Sequence, residues 1–407
     1  MTMGKSKKLL ALITALLMVA LVATGCGGGD ADSGEGDNGG DTEMVTIKLG
    51  VGAPLTQGVV ALGQGIERGA QLAIEDFNAS PEAQELGIEV EAFVVDDQGD
   101  PKVGVNVANQ LVTDPTVIGV DGHLNSGVSI PASDVYGKAG IVQVSPASTN
   151  PDLTLAQKYG NVFRVCTVDP VQGSFAAEAA VNDLGFKTAF VIDDATPYGE
   201  GLAAEFAKAF VAAGGEVLGT EKTTDKDTDF NALVTKMKAE NPDVIYYGGI
   251  YNAGALLAKQ AKEGGMTAPF FSGDGVYSPD FVSLAGEANA EGSYCTSVGL
   301  PLDQQPKGAD FKAKFEAKYG DEEIQAYDTY AYDAAYVILE AVKVVAADLG
   351  ADALTTPDGK AAITEAVAMT NIEGITGAVS FDENGDTTNK AITLYVVEGG
   401  AWAPYVK

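Results

Sequence analysis

From Val45 onward, short runs rich in β-branched residues alternate with stretches whose apolar positions recur at helical spacing, the pattern of an α/β fold with parallel sheets. Val45–Val51 reads as a strand. Gly65–Asn78 reads as a helix with Ile66, Ala70, Ala73, Ile74 and Phe77 along one side. Ile88–Val95 is the next strand. Asp100-Pro101 then opens a helix, with the aspartate as N-cap and the proline at the first helical position. Val117–Val120 and Ile141–Val144 read as two further buried strands. After Arg164 the alternation starts again. Strands are expected over Thr188–Ile192, Glu216–Thr220, Val244–Tyr247 and Pro269–Ser272, and helices over Glu200–Ala213, Phe230–Ala239 and Ala255–Lys262.

The two series look like copies. DPTVIGVDG at 114–122 matches NPDVIYYGG at 241–249, an offset of 127 residues, and Val90 meets Val217 at the same offset. A repeat of this kind predicts two similar lobes, each one doubly wound unit.

The N-terminus carries a different pattern. Lys5, Lys7 and Lys8 precede a run from Leu9 to Ala23 that is too short to span a membrane. A basic flank, a short apolar core and small residues at its end make a secretory signal. Its end, Val22-Ala23-Thr24-Gly25-Cys26, resembles a bacterial lipoprotein signal, with Cys26 as the residue that receives the lipid; Ala23 stands where such signals usually have Leu. Several acyl chains on one cysteine anchor stably where a single chain does not. Residues 27–43 are rich in Gly and Asp/Glu, have no large apolar side chain and read as a flexible tether. The expected product is an exported soluble domain, lipid-anchored to the outer face of the cell membrane or periplasmic in a double-membrane cell.

Charge narrows the function. Among 407 residues, 25 Lys+Arg stand against 57 Asp+Glu, a net charge of −32, which argues against nucleic acid and anionic lipid as partners of the folded part. One histidine and three cysteines leave no cluster for a structural zinc. His123 is the sole candidate base. No G-x-S-x-G elbow or Walker-type loop is present, and the third glycine of Gly63-Gln64-Gly65-Ile66-Glu67-Arg68-Gly69 falls one position too far for a dinucleotide fingerprint. A lone histidine at a strand end is more often a loop or cleft residue than a base. Asp225-Lys226-Asp227-Thr228-Asp229 lacks the Gly and terminal Glu of a calcium loop, and Asp382-Glu383-Asn384-Gly385-Asp386 reads as an Asn-Gly turn. No catalytic residue, metal or cofactor is expected.

What remains is a binding constellation. In doubly wound lobes, ligands sit beyond the carboxyl ends of the strands. There the chain places Leu124-Asn125-Ser126 and Ser145-Pro146-Ala147-Ser148-Thr149. Ser126 would open a helix whose free N–H groups suit a carboxylate, and Thr149 adds a hydroxyl. The second series offers Tyr198 in Pro-Tyr-Gly-Glu-Gly, Tyr251 after Gly248-Gly249-Ile250, and Asp274 in Ser-Gly-Asp-Gly. An aspartate facing neutral donors across a cleft matches an amino-acid zwitterion.

With these motifs, and with Asp96-Asp97…Asp100-Pro101, Gly122-His123-Leu124-Asn125-Ser126, Pro131-Ala132-Ser133-Asp134 and Tyr246-Tyr247-Gly248-Gly249, the chain from about 44 to 407 resembles the leucine/isoleucine/valine-binding proteins of ABC importers. The resemblance implies a type I periplasmic-binding fold: two doubly wound lobes joined by three hinge crossings that close on the ligand. The implied limits are 1–25 for the signal and 26–43 for the tether. The N-terminal lobe takes 44–166 plus about 297–384, and the C-terminal lobe 167–296 plus about 385–407. By the same resemblance, Ser126, Ala147, Ser148 and Thr149 hold the ligand's carboxylate and ammonium, with Leu124 beside them. Tyr198 is a cleft tyrosine, Tyr251 lies next to a position where tyrosine is common, and Asp274 is the acidic partner of the ammonium. Tyr327 lines the side-chain pocket, and Leu62 stands where many members have an aromatic residue. Asn125 and Gly99 replace a cysteine pair of some members. Cys166 and Cys295 flank the hinge and are a candidate disulfide in an exported protein.

The function implied is capture of an α-amino acid, branched-chain above all, by a monomer that delivers it to permease subunits. An amide, urea or aromatic acid as ligand, and a sensor docking on a receptor, remain open at this level.

Overall fold

A computed structural model of the chain describes residues 44–407. The expected export signal, Cys26 and the tether lie outside the described residues. The first series of elements is β1 (Val45–Ala53), α1 (Val60–Ala79), β2 (Ile88–Asp96), α2 (Pro101–Thr113), β3 (Val117–Gly122), α3 (Ser126–Ala139), β4 (Val142–Ser145) and β5 (Val162–Arg164). The strands form a parallel sheet in the order β2-β1-β3-β4-β5. Every residue of β3 and β4 is buried, as expected for a parallel sheet covered on both faces. The apolar side predicted for α1 is the side it buries: Ile66, Ala70, Ala73, Ile74 and Phe77 are all in the core. Asp100 caps α2 as expected, its carboxylate accepting from the N–H groups of Lys102 and Val103 at 2.8 and 3.1 Å.

The second series repeats the first. After α4 (Asp169–Glu178) come β6 (Thr188–Asp193), α5 (Pro197–Ala212), β7 (Glu216–Lys222), α6 (Asn231–Glu240), β8 (Val244–Gly248), α7 (Tyr251–Glu263), β9 (Phe270–Ser272) and β10 (Tyr294–Val298). Their order, β7-β6-β8-β9-β10, reproduces that of the first sheet, and β3 and β8 are the strands of the matched segments. The chain then returns to the first lobe. It forms α8 (Gly308–Tyr319), α9 (Asp328–Leu349), which packs along α1, α10 (Pro357–Ala368) and a small hairpin, β11 (Asn371–Glu373) and β12 (Ala378–Ser380). It crosses once more to add β13 (Ile392–Glu398) and β14 (Ala401–Pro404) antiparallel at the edge beside β10, making a seven-stranded second sheet. Two similar doubly wound lobes joined by three crossings are thus in place.

One reading changes. Cys166 and Cys295 are free thiols, both fully buried, so the candidate disulfide is not formed. Cys166 instead donates to the Ser148 carbonyl at 3.6 Å, and Cys295 sits in the middle of the second sheet, paired with Tyr395 and Ser272. His123 lies in the loop between β3 and α3, as expected, and outside the pocket-facing cleft. It is completely buried, with Nδ1 at 2.6 Å from Asp97 and Nε2 at 2.8 Å from the Tyr136 hydroxyl. Its carbonyl accepts from the Ser129, Ser145 and Ser148 hydroxyls, so it braces the loop beyond β3. The 382–386 segment is a turn as expected, closed by the Gly385 N–H donating to the Asp382 carbonyl at 3.1 Å.

Candidate functional site

The switch points of the two sheets, where the strand order reverses, lie between β1 and β3 in one lobe and between β6 and β8 in the other. Loops leaving the carboxyl ends of such strands diverge and leave a crevice. Here the two crevices face each other. Leu62 follows β1, and Leu124, Asn125 and Ser126 follow β3; Tyr198 follows β6 and Ile250 follows β8. With Ala147 after β4, Asp274 and Gly275 after β9, and Tyr327 at the start of α9, they line one pocket. The lobes touch around it. The Asn150 side-chain amide donates to the Pro197 carbonyl at 2.7 Å, and that of Asn252 donates to the Gly58 carbonyl at 3.0 Å.

The first lobe contributes donors. Ser126 begins α3, a helix of 14 residues whose first N–H groups have no acceptor within it and whose positive end opens on the pocket. The Ser126 Oγ accepts from the Asn150 N–H at 3.3 Å, leaving its own proton free for a ligand. The 145–150 loop is held from below. Arg164, with no exposed surface, donates through Nη1 to the Ser148 and Asn150 carbonyls at 2.6 and 2.8 Å and through Nη2 to Thr154 at 2.7 Å. Its Nε lies 2.7 Å from Asp386.

The second lobe contributes a carboxylate. Asp274, 1% exposed, accepts from the Tyr198 hydroxyl at 2.9 Å and from the Tyr327 hydroxyl. Burial raises its proton affinity, and these two hydroxyls and Gln172 oppose that rise. The glycines beside it are steric necessities. A Cβ on Gly275 would stand 2.7 Å from the Gly249 carbonyl and 2.9 Å from the Tyr198 ring. Donors on one wall, an acid on the other and the apolar Leu62, Leu124 and Ile250 between them complement a small ligand with an anionic end, a cationic end and an aliphatic body.

Of the ten residues expected to hold a ligand, the pocket brings together Leu62, Leu124, Ser126, Ala147, Tyr198, Asp274 and Tyr327. Ser148, Thr149 and Tyr251 lie outside its lining. The Ser148 hydroxyl serves the loop, meeting Ser129 at 2.6 Å and the Leu124 carbonyl at 2.9 Å. Thr149 is fully buried behind the wall, its carbonyl accepting from the Asp169 N–H at 2.9 Å. Tyr251 points toward Ala61 and Asp280, and its hydroxyl is pushed up to about 12 by burial and by that acid. Asn125, Ile250 and Gly275 line the pocket although they were not counted as ligand residues, and Asn150 and Arg164 support it. A polar residue directly after the Ser-Pro-Ala-Ser-Thr run was the available signal for Asn150. Arg164 had none, since its partner Asp386 lies more than 200 residues away in sequence.

Residues 46–401 match the model of the family described as periplasmic binding protein. A Leu/Ile/Val-binding protein homolog 2 from Brucella abortus is 34% identical over 357 residues, 88% of this chain and 91% of that protein. Among solved structures, a leucine binding protein LivK from Thermotoga maritima superposes with a TM-score of 0.79 at 30% identity, covering 88% of this chain and 98% of that one. The branched-chain amino acid transporter substrate binding protein LivJ from Streptococcus pneumoniae, in complex with isoleucine, gives 0.79 at 28% identity over 89% and 99%.

Proposed function

The chain belongs to the periplasmic binding protein family, and from that premise we propose that it captures an α-amino acid with a branched aliphatic side chain and delivers it to an ABC permease. The observation that carries this reading is Asp274, buried between two tyrosine hydroxyls and opposite the N-terminus of α3. A buried carboxylate without a cation is costly, and a ligand ammonium relieves it. The ligand carboxylate takes the α3 N–H groups and the Ser126 hydroxyl; Leu62, Leu124 and Ile250 surround the side chain. The names of the relatives at about one-third identity, and of the isoleucine-bound neighbour, point the same way.

Capture is ligand-biased hinge closure without chemical conversion: the ligand favours the closed form because only there do both walls contact it. In this reading the lobes comprise 44–166 with about 297–384, and 167–296 with about 385–407. The monomer is exported by residues 1–25 and held to the membrane by lipid on Cys26, with residues 26–43 as tether.

A thermal-shift screen of the purified protein against amino acids, small acids and amides tests the ligand class. A ligand at 100 times its dissociation constant adds about 2.7 kcal/mol of stability. Leucine, isoleucine or valine is expected to raise the melting temperature. Stabilisation by non-amino-acid ligands alone would overturn the reading.

A further inference from the structure

The binding reading leaves the glycine run of α1 without a task. Gly65, Arg68 and Gly69 stand three and four positions apart and share one face of that helix, and this face carries the start of α9. A Cβ on Gly69 would stand 2.1 Å from the Asp328 carbonyl. One on Gly65 would stand 2.8 Å from Asp328 Oδ2 and 3.2 Å from Gln325 Cβ, so glycine is what lets Asp328 and the segment before it lie this close. Asp328 has no exposed surface. Its Oδ1 accepts from Arg68 Nε at 3.3 Å, and its Oδ2 from the Gln325 N–H at 2.6 Å. The same guanidinium reaches back along the segment, donating to Glu322 at 3.2 Å and to the Glu323 carbonyl at 3.5 Å. Helix, aspartate and segment are thus tied into one unit, and its far end enters the ligand pocket. Tyr327, directly before Asp328, is 2% exposed, lines the pocket and donates its hydroxyl to Asp274 of the other lobe. Gln325 adds a second contact across the lobes, accepting from the Ser278 hydroxyl at 3.2 Å.

We propose that Gly65, Arg68 and Gly69 form a seat that fixes Tyr327 against Asp274, which makes Arg68 a positioning residue for ligand capture. Arg68 lies outside the pocket lining and acts through Tyr327. Two glycines in mid-helix are a poor choice for helix stability, and the close approach of α9 is what they make possible. Tyr327 is the first-lobe hydroxyl that meets the acid of the second lobe, so its placement sets how Asp274 is held when the lobes close. A misplacement of about 1 Å at such a contact is enough to weaken binding. The effect on affinity rests on the amino-acid reading of the pocket; the effect on the position of Tyr327 does not.

Two measurements test it. Crystal structures of the wild type and of Gly65→Ala, grown in the same conditions and superposed on the first lobe, are expected to show the Tyr327 hydroxyl displaced by about 1 Å or more in the variant. An unmoved Tyr327 overturns the inference, whatever the ligand. Calorimetric titration with L-leucine reads the consequence. Gly65→Ala, Arg68→Met and Tyr327→Phe are each expected to bind about tenfold more weakly, the loss of about one hydrogen bond to a charged group. Gly65→Ala combined with Tyr327→Phe is expected to cost little beyond Tyr327→Phe alone, because the seat acts through the placement of that hydroxyl. Arg68→Lys restores the pairing with Asp328 without the fork that holds Glu322 and the Glu323 carbonyl, and is expected to recover part of the affinity. Gly65→Ala carries the test if Arg68→Met, which leaves Asp328 without its cation, does not fold. A seat that only supports the fold gives losses that multiply to about 100-fold in the double variant, or lower unfolding stability with leucine affinity intact. Either result overturns the inference and leaves the ligand reading standing. Failure of the wild type to bind leucine overturns the ligand reading alone, and the displacement of Tyr327 then decides the seat.

Discussion

The loops after β4 and β9 occupy the same place in the two lobes and are built to opposite ends. At the repeat offset of 127 residues, Ser145 corresponds to Ser272 and Ala147 to Asp274. The serines keep one role. Ser145 Oγ donates to the His123 carbonyl at 2.9 Å, and Ser272 Oγ to the Tyr247 carbonyl at 2.6 Å, each tying its strand end to the neighbouring one. Two residues later the lobes part. Ala147 has no polar side chain and leaves its wall to backbone and helix-end groups, whereas Asp274 places a carboxylate opposite them. The helices beyond β3 and β8 diverge too. α7 begins at Tyr251, which in repeat register is two positions earlier than Ser126, so Tyr251 is carried away toward Asp280 while Ser126 stays at the pocket. A duplicated scaffold becomes a site for an asymmetric ligand by changing loop ends, without altering the sheet.

Breaking the support of the donor wall should have the largest effect. Arg164→Met leaves Asp386 without its cation and takes the guanidinium donor from the Ser148 and Asn150 carbonyls, at a cost of about 3–5 kcal/mol in chemical denaturation. Removing the acid from the other wall spares the fold and strikes binding. Asp274→Asn should weaken leucine binding by about 2–4 kcal/mol in calorimetry. It also removes the acid limb of the pH profile. Because burial raises the Asp274 pKa, acidification protonates it early and discharges the ammonium's partner, so wild-type affinity falls as pH drops and that of the variant does not.

Asp121 sharpens the comparison in the other direction. It corresponds to Gly248, which lies against the Gly199 carbonyl and has no room for a side chain. Asp121 is fully buried, both its oxygens are without partners, and burial pushes its pKa well up. With the folded pKa above the unfolded one, its contribution is most favourable below the ordinary carboxylate range and is lost as pH rises. Asp121→Asn should therefore gain about 1–3 kcal/mol near neutral pH, with the gain shrinking on acidification, as read by denaturation at several pH values. The smallest effect is expected from Asn252→Ala. Losing its bond to the Gly58 carbonyl removes one inter-lobe contact, and leucine affinity should drop by about 0.5–1.5 kcal/mol with unfolding stability nearly unchanged.

The difference between local and distant signals explains what could be read from sequence. Strands, helices and the cap at Asp100 follow from periodicity and neighbouring residues, so the alternation through Ser272 was legible, and the copied segments marked equivalent strands. Pocket residues at strand ends were legible for the same reason, because fold geometry sends those ends to the crevice. The Arg164–Asp386 pair, the antiparallel β13–β14 edge and the Asp97–His123–Tyr136 network depend on partners brought together only by folding. Thr149 and Tyr251 were placed at the right strand ends, but side-chain direction there depends on where the next element starts. The unpaired state of Cys166 and Cys295 was equally invisible, since each is placed by its own sheet neighbours.

The central claim is that one wall reads an anionic group and the other a cationic group on the same small molecule. It is tested most directly by titrating the protein at pH 7 with L-leucine, with leucinamide, which lacks the carboxylate, and with 4-methylpentanoate, which lacks the ammonium. The account predicts that leucine binds and that each truncated analogue loses about 100-fold or more, since each leaves buried groups of one wall unpaired. Binding of 4-methylpentanoate as tight as that of leucine would contradict it.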